Sequence, residues 1–444
     1  MAALISWSDR PRPIGRALLW GSWKLAYRFV HAADIHLDSP LRSLALREPE
    51  LAELIGNATR RAFMALVDLC LDQRVDALLL AGDLHDGEQT SMKTARFLAE
   101  QVRRLDEAGI AVFIIRGNHD AISKITRELA FPASVKVFGS RADTVAIDRA
   151  GHAPIVVHGL SFAHALAPES LLPRYTAPVA DAVNIGIMHT SLAGASGHDL
   201  YAPCSVADLK AAGFRYWALG HIHRRSVIDG DCAIVMPGIP QGRDINESGP
   251  KSVTLVTVTD DGSIHLEEHL TSLAQFERID VDVGGVEDWQ DILGRVGQAI
   301  EAARGATASE HLVARLRLTG GTPLAWRMRR DFDMLKTEAE SRAAEAGKSW
   351  IEKIEIDCVP PLAAVEPSGD PLVELRRLID SEIMASDAYH EEIARIANEL
   401  RGQLPPECRA MLGSDEESGT AALRELIRAG ADDVLARLQG QDAA

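Results

Sequence analysis

Residues 75–83 have the sequence VDALLLAGD, a short apolar run that stops abruptly at Gly82 and Asp83. Such a run is typical of a strand that is buried on both faces of a parallel sheet. Four further apolar runs also stop at Asp, Asn or His, so the set comprises residues 27–33, 75–81, 110–116, 184–188 and 216–219. Because ligands of open α/β sheets bind beyond the carboxyl ends of the strands, we expect these five ends to meet in one pocket.

The side chains that follow these five runs offer oxygen and nitrogen donors and no thiolate: Asp34, His36, Asp83, Asn118, His189, His221 and His223. This donor set suits divalent ions such as Mn, Fe or Zn. Two such ions need a bridging carboxylate, for which Asp83 is the natural candidate. A lone histidine after a strand is more often a structural residue, but five endings in order favour a two-metal site. A glycine precedes Asp83, Asn118 and His221, and predicts tight turns there.

The order of these motifs, DxH, GD, GNHD, a strand-ending His and GHxH, resembles that of the calcineurin-like metallophosphoesterases. Six longer stretches are similar to the SbcD/YhaO branch of DNA repair exonucleases, relatives of the Mre-type nucleases: FVHAADIHLDSPL, AGDLHDG, IRGNHD, HDLYAPCSVADL, YWALGHIHRR and MPGIPQGRDINESGPKSV. The similarity covers about residues 26–260. It implies an α/β fold, with a β-sandwich flanked by helices, a small α+β capping domain and a helical C-terminal segment.

The resemblance also implies roles for single residues. One ion would be held by Asp34, His36, Asp83 and His223, and the other by Asp83, Asn118, His189 and His221. Both ions are expected to be Mn. His119 would contact the scissile phosphate or the leaving oxygen, and Asp120 would orient it. His85 stands where relatives commonly have an aromatic residue, so it either supports the site from behind or takes a direct part in phosphate contact.

The net charge of −17 argues against a nucleic-acid substrate, because Lys and Arg hold phosphate backbones. More than half of it, −9, lies in residues 366–444, and the remaining −8 leaves the rest only mildly acidic. Candidate backbone contacts in that part are Arg224, Arg225, Arg243, Arg327, Arg329 and Arg330, of which Arg224 and Arg243 lie beside the metal motifs. Each is alternatively a solvated surface arginine. If DNA is the substrate, a partner should supply much of the affinity.

A chain of 444 residues exceeds what one hydrophobic core usually serves, so several domains are expected. We predict a disordered extension or misplaced start at residues 1–25, the nuclease domain at 26–270 and the capping domain at 271–365. The nuclease domain should close with a hairpin of residues 255–258 and 264–267. The capping domain should contain strands at residues 275–283, 310–319 and 349–359, and helices at 286–304 and 326–346.

Residues 366–444 are predicted to form a helical partner-binding segment. Apolar residues recur at helical spacing in residues 372–386, 389–404 and 420–438, and residues 414–419 form an acidic turn between the last two helices. The helices either fold back so that these apolar stripes pack on their own protein, or dock on the coiled coil of an SMC-like ATPase. The resemblance favours docking on the ATPase.

The five cysteines are scattered without a CxxC pair, and the apolar run at residues 17–20 is too short for a signal peptide. Because the cysteines indicate neither a disulfide framework nor a thiolate zinc site, a reducing cytoplasm is the expected location. No apolar stretch approaches the length of a membrane span. The predicted function is that of a Mn-dependent DNA phosphodiesterase, an exonuclease that acts in DNA repair with an SbcC-like or YhaN-like ATPase. The sequence leaves open whether the chain forms a homodimer. The alternatives are a phosphodiesterase for small or cyclic nucleotides and a non-catalytic scaffold.

Overall fold

The computed structural model describes residues 26–39, 49–85, 91–121, 131–149, 151–192, 201–359, 371–403 and 416–439. The predictions for residues 1–25 and for Ser414 and Asp415 fall outside these ranges. The chain divides into two compact units, which are residues 1–277 with 306–313, and residues 278–305 with 314–444. The three-part division of the folded chain proposed from sequence stays a prediction.

Unit 1 contains two six-stranded sheets. In the first, the strands lie in the order β12-β11-β1-β2-β3-β4, and in the second the order is β5-β6-β7-β8-β10-β9. The strands are β1 Tyr27–Ala32, β2 Ala77–Ala81, β3 Ala111–Ile115, β4 Val135–Val137, β5 Asp143–Ile147, β6 Ile155–Gly159, β7 Val183–His189, β8 Tyr216–Gly220, β9 Ser226–Ile228, β10 Ala233–Met236, β11 Ser252–Val258 and β12 Ile264–Leu270. All five predicted strands are present, and the predicted hairpin is the antiparallel pair of β11 and β12.

The two sheets pack face to face through one apolar core that includes Phe29 and Phe113 of the first sheet and Ile185 and Tyr216 of the second. The other face of the first sheet is covered by helices α1 (Pro49–Asp72) and α2 (Met92–Glu107). A short helix, α3 (Val206–Ala211), packs Leu209 against the outer face of the second sheet. Since β1, β2 and β3 are buried on both faces, they read as continuous apolar runs. The expected sandwich flanked by helices is confirmed.

Strand direction brings the motifs together. β1, β2 and β3 are parallel neighbours, as are β7 and β8 in the opposite sheet. Parallel neighbours deliver their carboxyl ends to one edge, and in this sandwich the two sheets bring these edges to one place.

Unit 2 contains most of a three-stranded sheet in the order β13-β14-β15. Its elements are β13 Ala274–Asp282, α4 Trp289–Ala306, β14 His311–Gly321, α5 Ala325–Arg330, α6 Phe332–Ala346 and β15 Ser349–Val359. The prediction of one helix over residues 326–346 is wrong, because the chain leaves helical geometry at Asp331. Asp has a low intrinsic helix propensity, which suits a break at this residue. Its carboxylate accepts hydrogen bonds from the Arg330 guanidinium at 2.8 and 2.9 Å.

The C-terminal helices also belong to unit 2. They are α7 Pro371–Leu378, which continues into one π-helical turn at Ile379–Ile383, α8 Asp387–Gln403 and α9 Glu416–Gln439. The predicted acidic turn at residues 414–419 is wrong from Glu416 onward, where α9 has already begun. Within the described ranges, no helix combines the length and apolar content that a membrane span requires. The cysteines within those ranges, Cys70, Cys204, Cys232 and Cys358, are buried free thiols.

Candidate metal centre

The predicted ligands lie where the strands of the two sheets end. Asp34 and His36 follow β1, Asp83 follows β2 and Asn118 follows β3, while His189 ends β7 and His221 and His223 follow β8. Two groups of possible donor atoms are present, and within each group the atoms lie within 4.8 Å of one another. The first group is Asp34, His36 and His223, and the second is Asp34, Asp83 and His189. The shared member of these groups is Asp34, so the assignment of Asp83 as the bridge stays a prediction.

The donor atoms of each group point toward one another. The Nε2 atoms of His36 and His223 are 3.2 Å apart. His189 Nε2 lies 2.9 Å from Asn118 Oδ1 and 3.3 Å from Asp83 Oδ2. The His221 ring lies 5.2 Å from the His189 ring, and its backbone N–H donates to the Asp34 carboxylate at 3.0 Å. All seven predicted ligands are thus brought to one place.

Backbone strain is concentrated at this place. Asp34, His36, Asp38, Asp83 and His221 have φ values of 53°, 45°, 57°, 52° and 105°, in the left-handed region that non-glycine residues avoid. Each such residue costs on the order of 1–3 kcal/mol, which the surrounding packing must offset. Residues in this geometry cluster at functional sites, because the strain is retained where a side chain must point in one direction.

The three glycines that precede ligands serve two purposes. Gly82 has a φ of 97°, which confirms the tight turn expected before Asp83. Gly117 and Gly220 are instead required for space: a Cβ on Gly117 would lie 2.2 Å from Asp83 Oδ1, and one on Gly220 would lie 2.1 Å from the carbonyl oxygen of Ala81. Gly117 also begins a turn, since the Ala121 backbone N–H donates to its carbonyl oxygen at 3.2 Å, but among the three glycines only Gly82 has a positive φ.

The buried charges at the centre shift one another's pKa. Burial raises the pKa of Asp34. Burial acts in the same direction on Asp83, but the neighbouring histidines, His189 first, outweigh it and hold the pKa of Asp83 well below its usual range. Burial alone would lower the pKa of His189, whereas the Asp83 carboxylate raises this pKa to about 9. The Asp83 carboxylate is therefore kept ionised, as a metal ligand must be.

His119 and Asp120 lie beside the ligands. The His119 ring is 5.2 Å from the His36 ring, and its backbone N–H donates to Asp83 Oδ1 at 3.0 Å. The buried Asp120 carboxylate accepts hydrogen bonds from the backbone N–H groups of Leu84 and His85, both at 3.1 Å, and of Gly117 at 3.3 Å. Asp120 thus ties together the two loops after β2 and β3. Its role in orienting the His119 ring stays a prediction.

His85 is buried, with 1% of its surface exposed, and its backbone pairs with Leu37 in the loop after β1. The predicted ligands His36 and His189 are equally buried, so burial alone does not separate a supporting role from phosphate contact, and the role of His85 stays a prediction.

The arginines near the centre differ in their surroundings. Arg224 is exposed, whereas Arg225 donates to Thr254 Oγ1 at 2.6 Å. Arg243 donates through its backbone N–H and its Nη2 to Glu247, at 2.7 and 2.8 Å, and its Nη2 lies 3.3 Å from His223 Nδ1. Sequence reasoning missed Glu247, although it lies in the quoted GRDINES stretch four residues after Arg243.

The three candidate arginines of unit 2 make contacts within that unit. Arg327 lies over the Trp289 ring at 4.9 Å, and Arg330 binds Asp331. Arg329 donates to the backbone oxygens of Ile356 and Cys358, at 3.0 and 2.9 Å. These contacts give each guanidinium a structural task, which weakens the expectation that it holds a phosphate backbone.

The donor set and the strained, buried geometry fit two divalent ions. Carboxylate, amide and imidazole donors converge from five strand ends, and Asp34, Asp83 and His189 are almost completely buried. Polar side chains are buried at such density when they bind something or pair with each other.

Comparison with known proteins agrees with this geometry. Residues 27–225 match the calcineurin-like phosphoesterase family, and residues 276–359 match the middle domain of metallophosphoesterase YhaO. Residues 27–225 therefore form a domain of the calcineurin-like metallophosphoesterases, as the motifs indicated. These enzymes are hydrolases with a dinuclear divalent metal site.

Within that family, the chain is 37% identical to the uncharacterized metallophosphoesterase YhaO of Bacillus subtilis over 258 residues, which cover 57% of this chain and 63% of YhaO. It is 28% identical to the DNA double-strand break repair protein Mre11 of Sulfurisphaera tokodaii, covering 48% of this chain and 54% of that protein. It is also 28% identical to the DNA double-strand break repair protein Mre11 of Aeropyrum pernix, covering 58% of this chain and 64% of that protein. The match therefore spans about half to two thirds of these relatives.

Proposed function

We propose that this chain is a Mn-dependent DNA phosphodiesterase, an exonuclease that acts in DNA repair together with an SMC-type ATPase. The observation that carries the proposal is the convergence of Asp, Asn and His donors from both sheets onto two adjoining groups, built on strained backbone. The resemblance to Mre11 proteins supports DNA as the substrate.

Asp34, His36, Asp83 and His223 would hold one ion, and Asp83, Asn118, His189 and His221 would hold the other, so that Asp83 is the proposed bridge. When bound, two such ions supply Lewis-acid stabilisation of the phosphate and activation of water. His119 is half-buried beside His36, so it would deliver a proton to the leaving oxygen. Exposed Arg224, and Arg243 beside His223, would bind backbone phosphates on one side of the centre.

One observation favours a second candidate, a phosphodiesterase for small or cyclic nucleotides. The three candidate arginines of unit 2 are engaged in the contacts described above, and Arg315 and Arg317 of the three-stranded sheet pair with Glu352 and Asp280. Long DNA needs a basic track, whereas a small phosphodiester needs only the centre itself.

The C-terminal helices support both options that the sequence left open. Leu435 and Ala436 of α9 are buried with Trp326 of α5, and Leu375 of α7 packs against them. This part folds back on unit 2. The side chains of α8 are all exposed or half-buried, including Ile396 at 47% and Leu400 at 49% exposure. We therefore propose α8 as the contact with the ATPase coiled coil.

Activity on end-labelled single- and double-stranded DNA, compared with bis-p-nitrophenyl phosphate and cyclic nucleotides, tests the substrate. Each assay is run with Mn, with Mg and with EDTA, and Asp83→Asn controls for contaminating nucleases. Mn-dependent DNA degradation from ends supports the proposal. Hydrolysis of the small esters alone would establish the second candidate, and no hydrolysis of either class would contradict both.

The partner contact is tested with Ile396→Glu and Leu400→Glu in pull-downs with an SbcC-like ATPase. Met334→Glu on α6 is the matched control, because Met334 is equally exposed, at 52%. Loss of binding in the α8 variants but not in the control supports docking on α8. Unchanged binding in all three would show that α8 is not the contact.

A further inference from the structure

Glu247 lies behind one of the predicted metal ligands. Its Oε1 is 2.7 Å from His223 Nδ1, and on the other side of the same ring Nε2 lies 3.2 Å from His36 Nε2. A neutral imidazole carries one proton, which the carboxylate would hold on Nδ1. This leaves the Nε2 lone pair directed into the first donor group, as a metal ligand requires.

The local sequence fixes this carboxylate in place. Asp244 accepts a hydrogen bond from the Asn246 backbone N–H at 2.7 Å, and its carbonyl accepts one from the Glu247 backbone N–H at 3.1 Å, which forms a single 3₁₀ turn over Ile245–Glu247. Ile245 is buried and anchors the turn. The Glu247 side chain is 11% exposed, so its orientation is set by packing as well as by hydrogen bonds.

Arg243 binds both oxygens of the same carboxylate. Its backbone N–H and its Nη2 donate to Oε2 and Oε1, at 2.7 and 2.8 Å. Its Nη1 lies 3.4 Å from Ser39 Oγ, in the loop that follows His36. The Glu247 carboxylate therefore contacts both the predicted metal ligand His223 and the Arg243 guanidinium. The guanidinium in turn reaches the loop after β1.

We propose that Glu247 is a positioning residue, which sets the affinity of the first donor group for its divalent ion by fixing the His223 ring. Residues that orient metal-bound histidines typically contribute about 10–100-fold to metal affinity or activity. This inference rests on the metal centre of the proposed function, but it makes no use of the substrate.

The test is Mn titration of the metal-free protein by calorimetry, with bound metal counted after desalting. Glu247→Ala is expected to lower the affinity for one of two ions by about 10–100-fold and to leave the other within threefold. In Glu247→Gln the amide oxygen still accepts the Nδ1 proton, so this variant should recover most of the loss. Glu268→Gln is the matched control, since Glu268 pairs with Arg225 at 3.4 Å and is half exposed.

A double-variant cycle separates positioning from a general loss of structure. Once His223→Asn has removed the ligand, Glu247→Ala should have little further effect on Mn affinity, whereas a purely structural defect would weaken it further. A folded Glu247→Ala protein that binds two ions with unchanged affinity would overturn the proposal, as would Gln and Ala variants with equal losses. A wild-type protein that binds no divalent ion would instead contradict the proposed function.

Discussion

Replacing Gly117 with alanine adds one methyl group to the most crowded point of the centre. The new Cβ would lie 2.2 Å from Asp83 Oδ1 and 2.8 Å from His189 Cε1, whereas ordinary contacts begin at 3.4 Å. Gly117 has no positive φ, so the backbone tolerates alanine and the conflict is one of space alone. The Asp83 carboxylate or the loop that carries Gly117 must then move by about 1.2 Å.

A movement of this size exceeds what metal ligation tolerates, which is about 0.2 Å in donor distance. We expect Gly117→Ala to lower Mn affinity at least about tenfold and hydrolysis on the order of 10²-fold, the usual consequence of a 1 Å misplacement. Overpacking should cost roughly 1–3 kcal/mol of stability. Metal counting, hydrolysis of bis-p-nitrophenyl phosphate and thermal melting measure the three effects.

Gly56→Ala is the matched control for this experiment. Gly56 lies on α1, where an added Cβ meets nothing within 4 Å, so the same substitution should leave the centre intact and stabilise the helix by up to about 1 kcal/mol. A folded Gly117→Ala protein that binds two ions and hydrolyses the ester at wild-type rates would refute the assignment of this cleft as the metal centre.

Three further predictions concern single groups at the centre. Asp83→Asn should lose most of its bound metal and nearly all hydrolysis while its circular dichroism and melting curve stay those of a folded protein; near-normal Mn content and activity would be inconsistent with Asp83 as the bridge. His119→Ala should keep both ions but lose about 10²–10⁴ in rate, and loss of one equivalent of metal would show that His119 is a ligand. Mn affinity should rise with pH up to about 9, because an ion must displace the proton that Asp83 stabilises on His189. Calorimetry between pH 7 and 9 should show up to about a tenfold gain in affinity per pH unit. An affinity that does not change with pH would contradict this competition.

The part of the fold predicted most reliably is the part under the tightest physical constraint. Strands buried on both faces must be apolar throughout, so the runs before Asp34 and Asp83 identify β1 and β2 within two residues. The chemistry of the strand endings then indicates a metal centre without knowledge of the sheet order. The pairing of the strands into two sheets was supplied by family resemblance, since apolar runs do not encode which neighbours they choose.

The errors have local causes. Helical periodicity continues through Asp331, so the pattern gave no sign that the backbone leaves helical geometry there, at φ −100° and ψ 35°. The need for space at Gly117 and Gly220 was not predicted, because sequence shows that a side chain is missing but not whether conformation or space requires it. Glu247 was missed because its role depends on a fold that brings it against a histidine 24 residues earlier in the chain.

The acidic residues of the C-terminal segment have different structural roles. Asp432 of α9 pairs with Arg329 at 3.5 Å and also with Arg376, so part of this acidity serves the fold-back of α9 within unit 2. On α8, Arg395 is bound by Glu392 and Glu399 on the same helix, at 2.6 Å each. Glu391 and the apolar Ile396 and Leu400 are left at the surface. An acidic helix with an exposed apolar stripe is complementary to a basic, apolar surface on another protein, which is why the partner contact is better sought on α8 than across the whole segment.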